Sequence, residues 1–290
     1  MATTTLTKEH KPPSNPVIVW GSRALWVNMV LCFFFLYFPI VVLIAFSFND
    51  SKLSSQWSGF TLKWYSAMLE NEEALTAFRN SLFVATCSTV LSTIIGTMTA
   101  LAMERFRFSF RKLYDGVLYL PVIIPDIVQA VALLAFYALV LEGLNSVLGL
   151  TGANTLRLGL PTVIFSHVSY SISFVVIVVR TSLRDFDKSL EEAAQDLGAD
   201  EWTTFWRVTF PLILPGILGG ALLAFTLSLD DFVISFFTTG PSGTTLPILV
   251  FGLIRRAVSP EINAISTVMM TMSIVLIILS QWLQNKSARK

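Results

Sequence analysis

Ser189-Leu190-Glu191-Glu192-Ala193-Ala194-Gln195-Asp196-Leu197-Gly198 holds a helix start, an apolar face and a helix stop in ten residues. Ser189 and Glu192 have the S-x-x-E spacing of a capping box, in which a hydroxyl and a carboxylate occupy the free N–H groups of a helix start. Leu190, Ala193, Ala194 and Leu197 fall at i, i+3, i+4 and i+7, which is one helical face. Gly198 is the residue type that ends a helix in the left-handed conformation. Asp200 then caps a second short helix carrying Trp202, Phe205 and Trp206, and Pro211 opens the next element. Segment 180–210 is therefore a helical elbow, small and apolar on one side and acidic on the other.

On both sides of the elbow the chain is apolar. Of its 290 residues 54% are hydrophobic and 13% charged, where an ordinary soluble domain has about 25% charged. The 23 Phe and 7 Trp suit a surface facing lipid. A net charge of +1 gives no case for nucleic acid as a partner, because binding phosphates takes a large basic excess. Cys32 and Cys87 sit in apolar runs without ligand spacing. Neither a disulfide framework nor a structural metal organises the fold.

A membrane-crossing helix needs about 20 residues with few charges. Six windows qualify: Arg23 to Asp50, Arg79 to Glu104, Asp115 to Glu142 (broken only by Asp126), Arg157 to Arg180, Arg207 to Asp230, and Glu261 to Lys286. The expected fold is an all-α polytopic membrane protein with six transmembrane helices. A seventh apolar run is cut by Gly240-Pro241-Ser242-Gly243, all turn formers. Phe232–Thr239 is then the continuation of span five, and 240–260 an outer loop that dips back towards the membrane. The first window is too long for a signal peptide and no small-residue cleavage site follows it. Residues 1–22, with Lys8, Lys11, Pro12 and Pro13, form a cytoplasmic tail, 23–285 the six-span domain, and 286–290 a second tail. An N-in/C-in orientation puts 14 of the 20 basic residues inside, as the positive-inside rule favours.

Glu192-Ala193-Ala194, three residues, Gly198, nine residues, then Val208-Thr209-Phe210-Pro211 resembles the E-A-A-x-x-x-G-x9-I-x-L-P loop of ABC-importer permeases, with Val208 and Phe210 in place of Ile and Leu. Further matches are Ser47-Phe48-Asn49-Asp50-Ser51-Lys52, Gly59-Phe60-Thr61-Leu62-Lys63-Trp64-Tyr65, Ser228-Leu229-Asp230-Asp231, Thr244-Thr245-Leu246-Pro247 and Ser259-Pro260-Glu261-Ile262-Asn263-Ala264. Together they resemble the second permease subunit of bacterial spermidine/putrescine importers over nearly the whole chain. The resemblance implies a type I ABC importer permease fold in the bacterial inner membrane, with the transmembrane region at about 76–284. It implies that Glu192, Ala193, Ala194, Gly198 and Pro211 couple the bundle to an ATPase. It also implies as partners a second homologous permease, two ATPase subunits and a periplasmic polyamine-binding protein. The outer loop Leu141–Leu160 is longer than expected for the spermidine-preferring type, which leaves putrescine and spermidine both open.

No Gly is followed by Lys, so the chain has no phosphate-cradling P-loop. ATP hydrolysis must come from a separate subunit. No catalytic residues, cofactor or metal are expected.

A charged Asp at a helix centre costs roughly 2.5–3.5 kcal/mol on insertion scales, so Asp126, Asp230 and Asp231 need a reason. Asp126 lies near the midplane, preceded by Pro121 and Pro125, which bend or break the helix. Tyr119, Gln129 and Tyr137 fall on roughly the same face. A carboxylate beside aromatic rings suits an ammonium ligand; the alternative is an Asp bonded to a neighbouring helix. Asp230 and Asp231 point about 100° apart on a helix. They either attract a polycation at the outer mouth or form an ordinary helix end packed on a partner. Acids without intramembrane Lys or Arg favour a cationic solute. The rivals are a permease for another cation or ferric ion, a self-contained secondary transporter with Asp126 as proton carrier, and a non-transporting scaffold. His167 reads as a helix-packing histidine, and Gly96, Gly216, Gly219 and Gly220 as packing glycines. Arg105, Arg107, Arg111 and Lys112 read as a positive-inside anchor, and Asn49-Asp50-Ser51 as a chance glycosylation sequon.

Overall fold

The computed structural model describes residues 16–51, 56–184, 187–241, 243–256 and 260–287. The expected tail up to residue 15, Lys52, Ser242, Ser259 and the last three residues lie outside them. In chain order the helices are α1 (Pro16–Ser47), α2 (Lys63–Glu70), α3 (Glu72–Arg105), α4 (Arg111–Ile123), α5 (Asp126–Val147), α6 (Leu160–Arg184), α7 (Ser189–Asp196) and α8 (Glu201–Thr204). A π-helical turn, Phe205–Thr209, then leads into α9 (Phe210–Asp230), α10 (Val233–Thr238), α11 (Leu246–Arg256) and α12 (Pro260–Ser287). Among the described residues six helical stretches are long and apolar enough to cross a membrane: Arg23–Ser47, Glu72–Arg105, Asp126–Val147, Leu160–Arg184, Glu201–Asp230 and Pro260–Trp282.

The centre of the bundle is α3, α6 and α9, closed around Ala100, Val175, Val176, Val179, Ile213, Ile217 and Ala224. In lipid, helices associate by close packing, which small residues permit. A Cβ on Gly96 would lie 2.8 Å from Val175 Cβ, and one on Gly216 2.0 Å from Ser182 Oγ. The packing role read for these glycines is what the geometry requires. Gly96→Val is accordingly expected to cost about 1–3 kcal/mol of overpacking and to lower the unfolding midpoint in detergent. Gly116→Ala, with nothing within 4 Å of the new methyl, should not lower it.

Around this centre, α12 packs on α9, and Ser280 Oγ donates to the Gly219 carbonyl at 3.0 Å. α1 packs on α12 and exposes Phe33, Phe34, Phe35 and Phe38, as a lipid-facing helix does. At the outer end α2 leans on α3 and α12. The turn before α2 is built on Asn49, which is fully buried. Its Nδ2 donates to the Gln56 carbonyl at 2.7 Å and its Oδ1 accepts the Ser58 N–H at 2.9 Å. That amide is committed inside the fold, which disposes of the sequon.

Three expectations change. α1 begins at Pro16, inside the segment read as a tail. Span five does not continue into Phe232–Thr239: α9 ends at Asp230, Asp231 is extended (φ −68°, ψ 122°), and α10 starts at Val233. The Asp231 carboxylate accepts the N–H groups of Ser235 at 2.7 Å and Ile234 at 3.4 Å, a local bond that competes with helix continuation. The segment 240–260 contains a helix, α11. Leu246 and Leu249 of α11 are buried against Ala74, Ala77 and Ile265.

Candidate functional site

The elbow forms as α7, a tight turn and α8. Gly198 has φ +92°; its N–H donates to Gln195 O at 2.8 Å, and the Ala199 N–H to Ala194 O at 3.0 Å. This pair of bonds is the Schellman closure, which glycine accommodates at little cost. Asp200 caps α8 as expected, accepting the Thr203 N–H at 3.0 Å. The Thr203 contacts hold the Asp200 carboxyl below the usual carboxylate range. Pro211 stands in the first turn of α9, where its missing N–H costs nothing.

The capping box does not form. Lys188 is the N-cap of α7, and Asp187 Oδ1 accepts the Ser189 N–H at 3.0 Å. That bond holds the Asp187 carboxyl below its ordinary range. A carboxylate makes the stronger, charge-assisted bond, so Ser189 is drawn into the first turn and Glu192 is left exposed. The apolar face is largely uncovered: Leu190 is 46% exposed, Leu197 90%, Ala193 is exposed and Ala194 half-buried. Glu191, not Glu192, turns inward. Its carboxylate pairs with the Arg105 guanidinium and accepts the Thr209 hydroxyl. Arg105 is therefore more than a membrane anchor. Arg111 likewise approaches Glu104 at 3.7 Å.

Deeper in the bundle the acids separate into two kinds. Asp126 is the first residue of α5 and is exposed; Asp230, the last of α9, is also exposed. The Asp231 side chain is only 11% exposed and is fully engaged. Besides the two N–H groups of α10, it meets His167 Nε2 at 3.2 Å. His167 is fully buried; its Nε2 also lies 3.0 Å from Ser235 Oγ and its Nδ1 2.6 Å from Ser228 Oγ. Ser228 reaches Ser88 of α3 at 2.9 Å. One buried polar chain thus joins α3, α6, α9 and α10. His167 packs between helices as read, but as the centre of this network. The available signal was a lone His in a span rich in serine, with Ser88 and Ser92 on α3.

His167 lies about 10 Å below the start of α6 at 1.5 Å per residue, so Asp231 is inside the bundle, not at its mouth. Ala130 shares a buried cluster with Tyr170 and Ile234. Asp126, one turn before Ala130, sits some 6 Å further in, close to the middle of α6 as expected. Tyr119 does not share the face of Asp126, Gln129 and Tyr137. Tyr119 is on α4, which ends at Ile123, and Pro125 starts a new helix direction. Gln129 is half-buried, and Tyr137 is buried with its hydroxyl accepting from Ser166 Oγ at 3.1 Å. At the outer end of α3, Glu72, Glu73, Thr76 and Asn80 line a cleft of about 290 Å³ with Pro241 and Thr244.

Residues 92–290 match the family of binding-protein-dependent transport system inner membrane components. The chain belongs to this family. The permease is 40% identical over 253 residues to the spermidine/putrescine transport system permease protein PotC of Escherichia coli K12, covering 87% of this chain and 90% of that one. It is 38% identical over 251 residues to the putrescine transport system permease protein PotI of the same organism, covering 86% of each. Its fold matches a bacterial ABC transporter involved in the import of the acidic polysaccharide alginate, with TM-score 0.71 and 19% identity over 92% of this chain and 96% of that one. The permease has the type I ABC importer fold with six candidate spans and belongs to the inner membrane.

Proposed function

We propose that this permease forms half of the path of an ATP-driven polyamine importer, for putrescine or spermidine. A second related permease supplies the other half, two ATPase subunits dock on the inner face, and a periplasmic binding protein delivers the solute. The observation that carries this reading is the 40% identity, along nearly the whole chain, to a spermidine/putrescine permease. The alginate neighbour has the same fold and carries an acidic polymer, so the fold does not set the charge of the solute; the side chains must. Here Asp126, at the start of α5, and Asp230, at the end of α9, are exposed carboxylates, which suit a flexible cation with two or more ammonium groups. The inside-negative potential assists each positive charge by about 2.3 kcal/mol per 100 mV. The chain itself is non-catalytic, and hydrolysis belongs to the ATPase subunits.

Alternating access follows from the elbow. Closure of the ATPases moves α7, and the bundle opens to one side or the other. Cells lacking the gene should regain uptake of radiolabelled putrescine or spermidine when it is restored, with competition by polyamines and none by ferric ion. Competition by ferric ion alone would move the protein to the rival solute class, and uptake by proteoliposomes containing only this chain would make it a secondary transporter. Asp126→Asn is expected to raise the KM for polyamine import at least tenfold, measured by initial rates, with membrane levels of the protein unchanged. An unaltered KM would take Asp126 off the path.

A further inference from the structure

We propose that Arg105 and Glu191 form the mechanical link by which movement of the elbow enters the transmembrane bundle, with Thr209 as its third contact. This rests on the proposed docking of α7 on an ATPase subunit. α7 is short, and it packs on α8 and on the π-helical turn. Among the described residues, Arg105 ties it to α3: Arg105 Nη2, on the last residue of α3, pairs with Glu191 and donates to Thr209 Oγ1 at 3.3 Å. Thr209 is fully buried and itself donates to Glu191. The three residues come from α3, from α7 and from the turn that opens α9, so each element is fixed to the other two.

What Arg105 holds is a rigid assembly. Its neighbour Glu104 accepts Arg180 Nε at 2.8 Å, and Arg180 Nη1 donates to Asp115 Oδ1 at 2.5 Å. The inner ends of α3, α4 and α6 are thereby tied together around Arg180, which is 7% exposed. α3 then runs outward as one helix. Ser88, about 25 Å from Arg105 at 1.5 Å per residue, enters the buried chain through Ser228 to His167 and Asp231. A displacement of α7 thus has a continuous path of paired charges and an unbroken helix to the acids. The acidic pair of the elbow divides the work: Glu192 is exposed, as a partner contact requires, and Glu191 faces its own chain.

Arg105 and Glu191 are positioning residues, so the test reads coupling. The complete importer, with its ATPases and binding protein, is reconstituted, and ATP hydrolysed per putrescine imported is measured. Glu191→Ala and Arg105→Ala are each expected to raise that ratio at least fivefold while the ATPase subunits still co-purify. The exchange Arg105→Glu with Glu191→Arg should return it to within twofold of the unaltered complex. Arg107→Ala, the next basic residue along, should leave it unchanged. An unchanged ratio in Glu191→Ala, loss of the ATPase subunits from that variant, or failure of the charge exchange to restore coupling each overturns the link. Absence of ATPase subunits or of putrescine import in the unaltered complex would instead overturn the proposed function.

Discussion

His167→Leu is expected to reduce uptake at least a hundredfold and to lower the unfolding midpoint in detergent by several degrees. Leucine removes both ring nitrogens from a fully buried position where they meet Asp231, Ser235 and Ser228. The Asp231 carboxylate, 11% exposed, then keeps its contacts with α10 but loses its partner on α6. Removing one partner from a buried hydrogen bond costs about 1–3 kcal/mol, and more where the group left behind is charged. The loss falls on the break between α9 and α10, next to Asp230, and so on the geometry of the proposed path. His167→Gln keeps hydrogen-bonding groups at the site and should fall between leucine and the native residue in both measurements. Wild-type uptake by the leucine variant would show that the network is incidental to transport.

The sequence made some of this architecture legible because the signals were local. Five of the six uncharged windows, the Pro125 interruption, the Gly198 stop, the Asp200 cap and the Pro211 start each depend on a few consecutive residues, and each stands where expected; the third span starts at Asp126 instead of running through it. What failed depended on competition or on distant partners. Asp187 and Ser189 are both able to cap α7, and spacing alone does not say that the carboxylate wins. Glu191 and Glu192 are adjacent acids, and only the arrival of Arg105 from another helix tells which turns inward. No Pro or Gly marks the break after Asp230; a side-chain bond to α10 makes it. The shared face of Tyr119 and Asp126 assumed one helix across Pro125, and the depth of Asp231 needed its pairing with α6.

Gly198→Val should lower uptake at least tenfold while ATP hydrolysis persists. A Cβ at this position meets nothing within 4 Å, so crowding is not the cause. The cost lies in the backbone: φ is +92°, and left-handed geometry is unfavourable by roughly 1–2 kcal/mol for a residue with a Cβ, most of all for a β-branched one. The Gly198 and Ala199 bonds that close α7 are then lost or distorted, and the angle between α7 and α8 with them. Gly198→Asn, which tolerates the left-handed region better, should retain several times more uptake than valine. Parallel assays of solute uptake and phosphate release in membranes would separate the two variants. Equal and normal transport by both would remove the turn from the mechanism.

The central claim is that the uncovered face of α7 is seated on an ATPase subunit. Leu197, 90% exposed on that face, can be replaced by a photo-reactive phenylalanine analogue in the assembled, transport-competent importer. Illumination should join the permease to the ATPase subunit, with a yield that changes when ATP is added. A working complex that gives no such adduct, with or without ATP, would contradict the account.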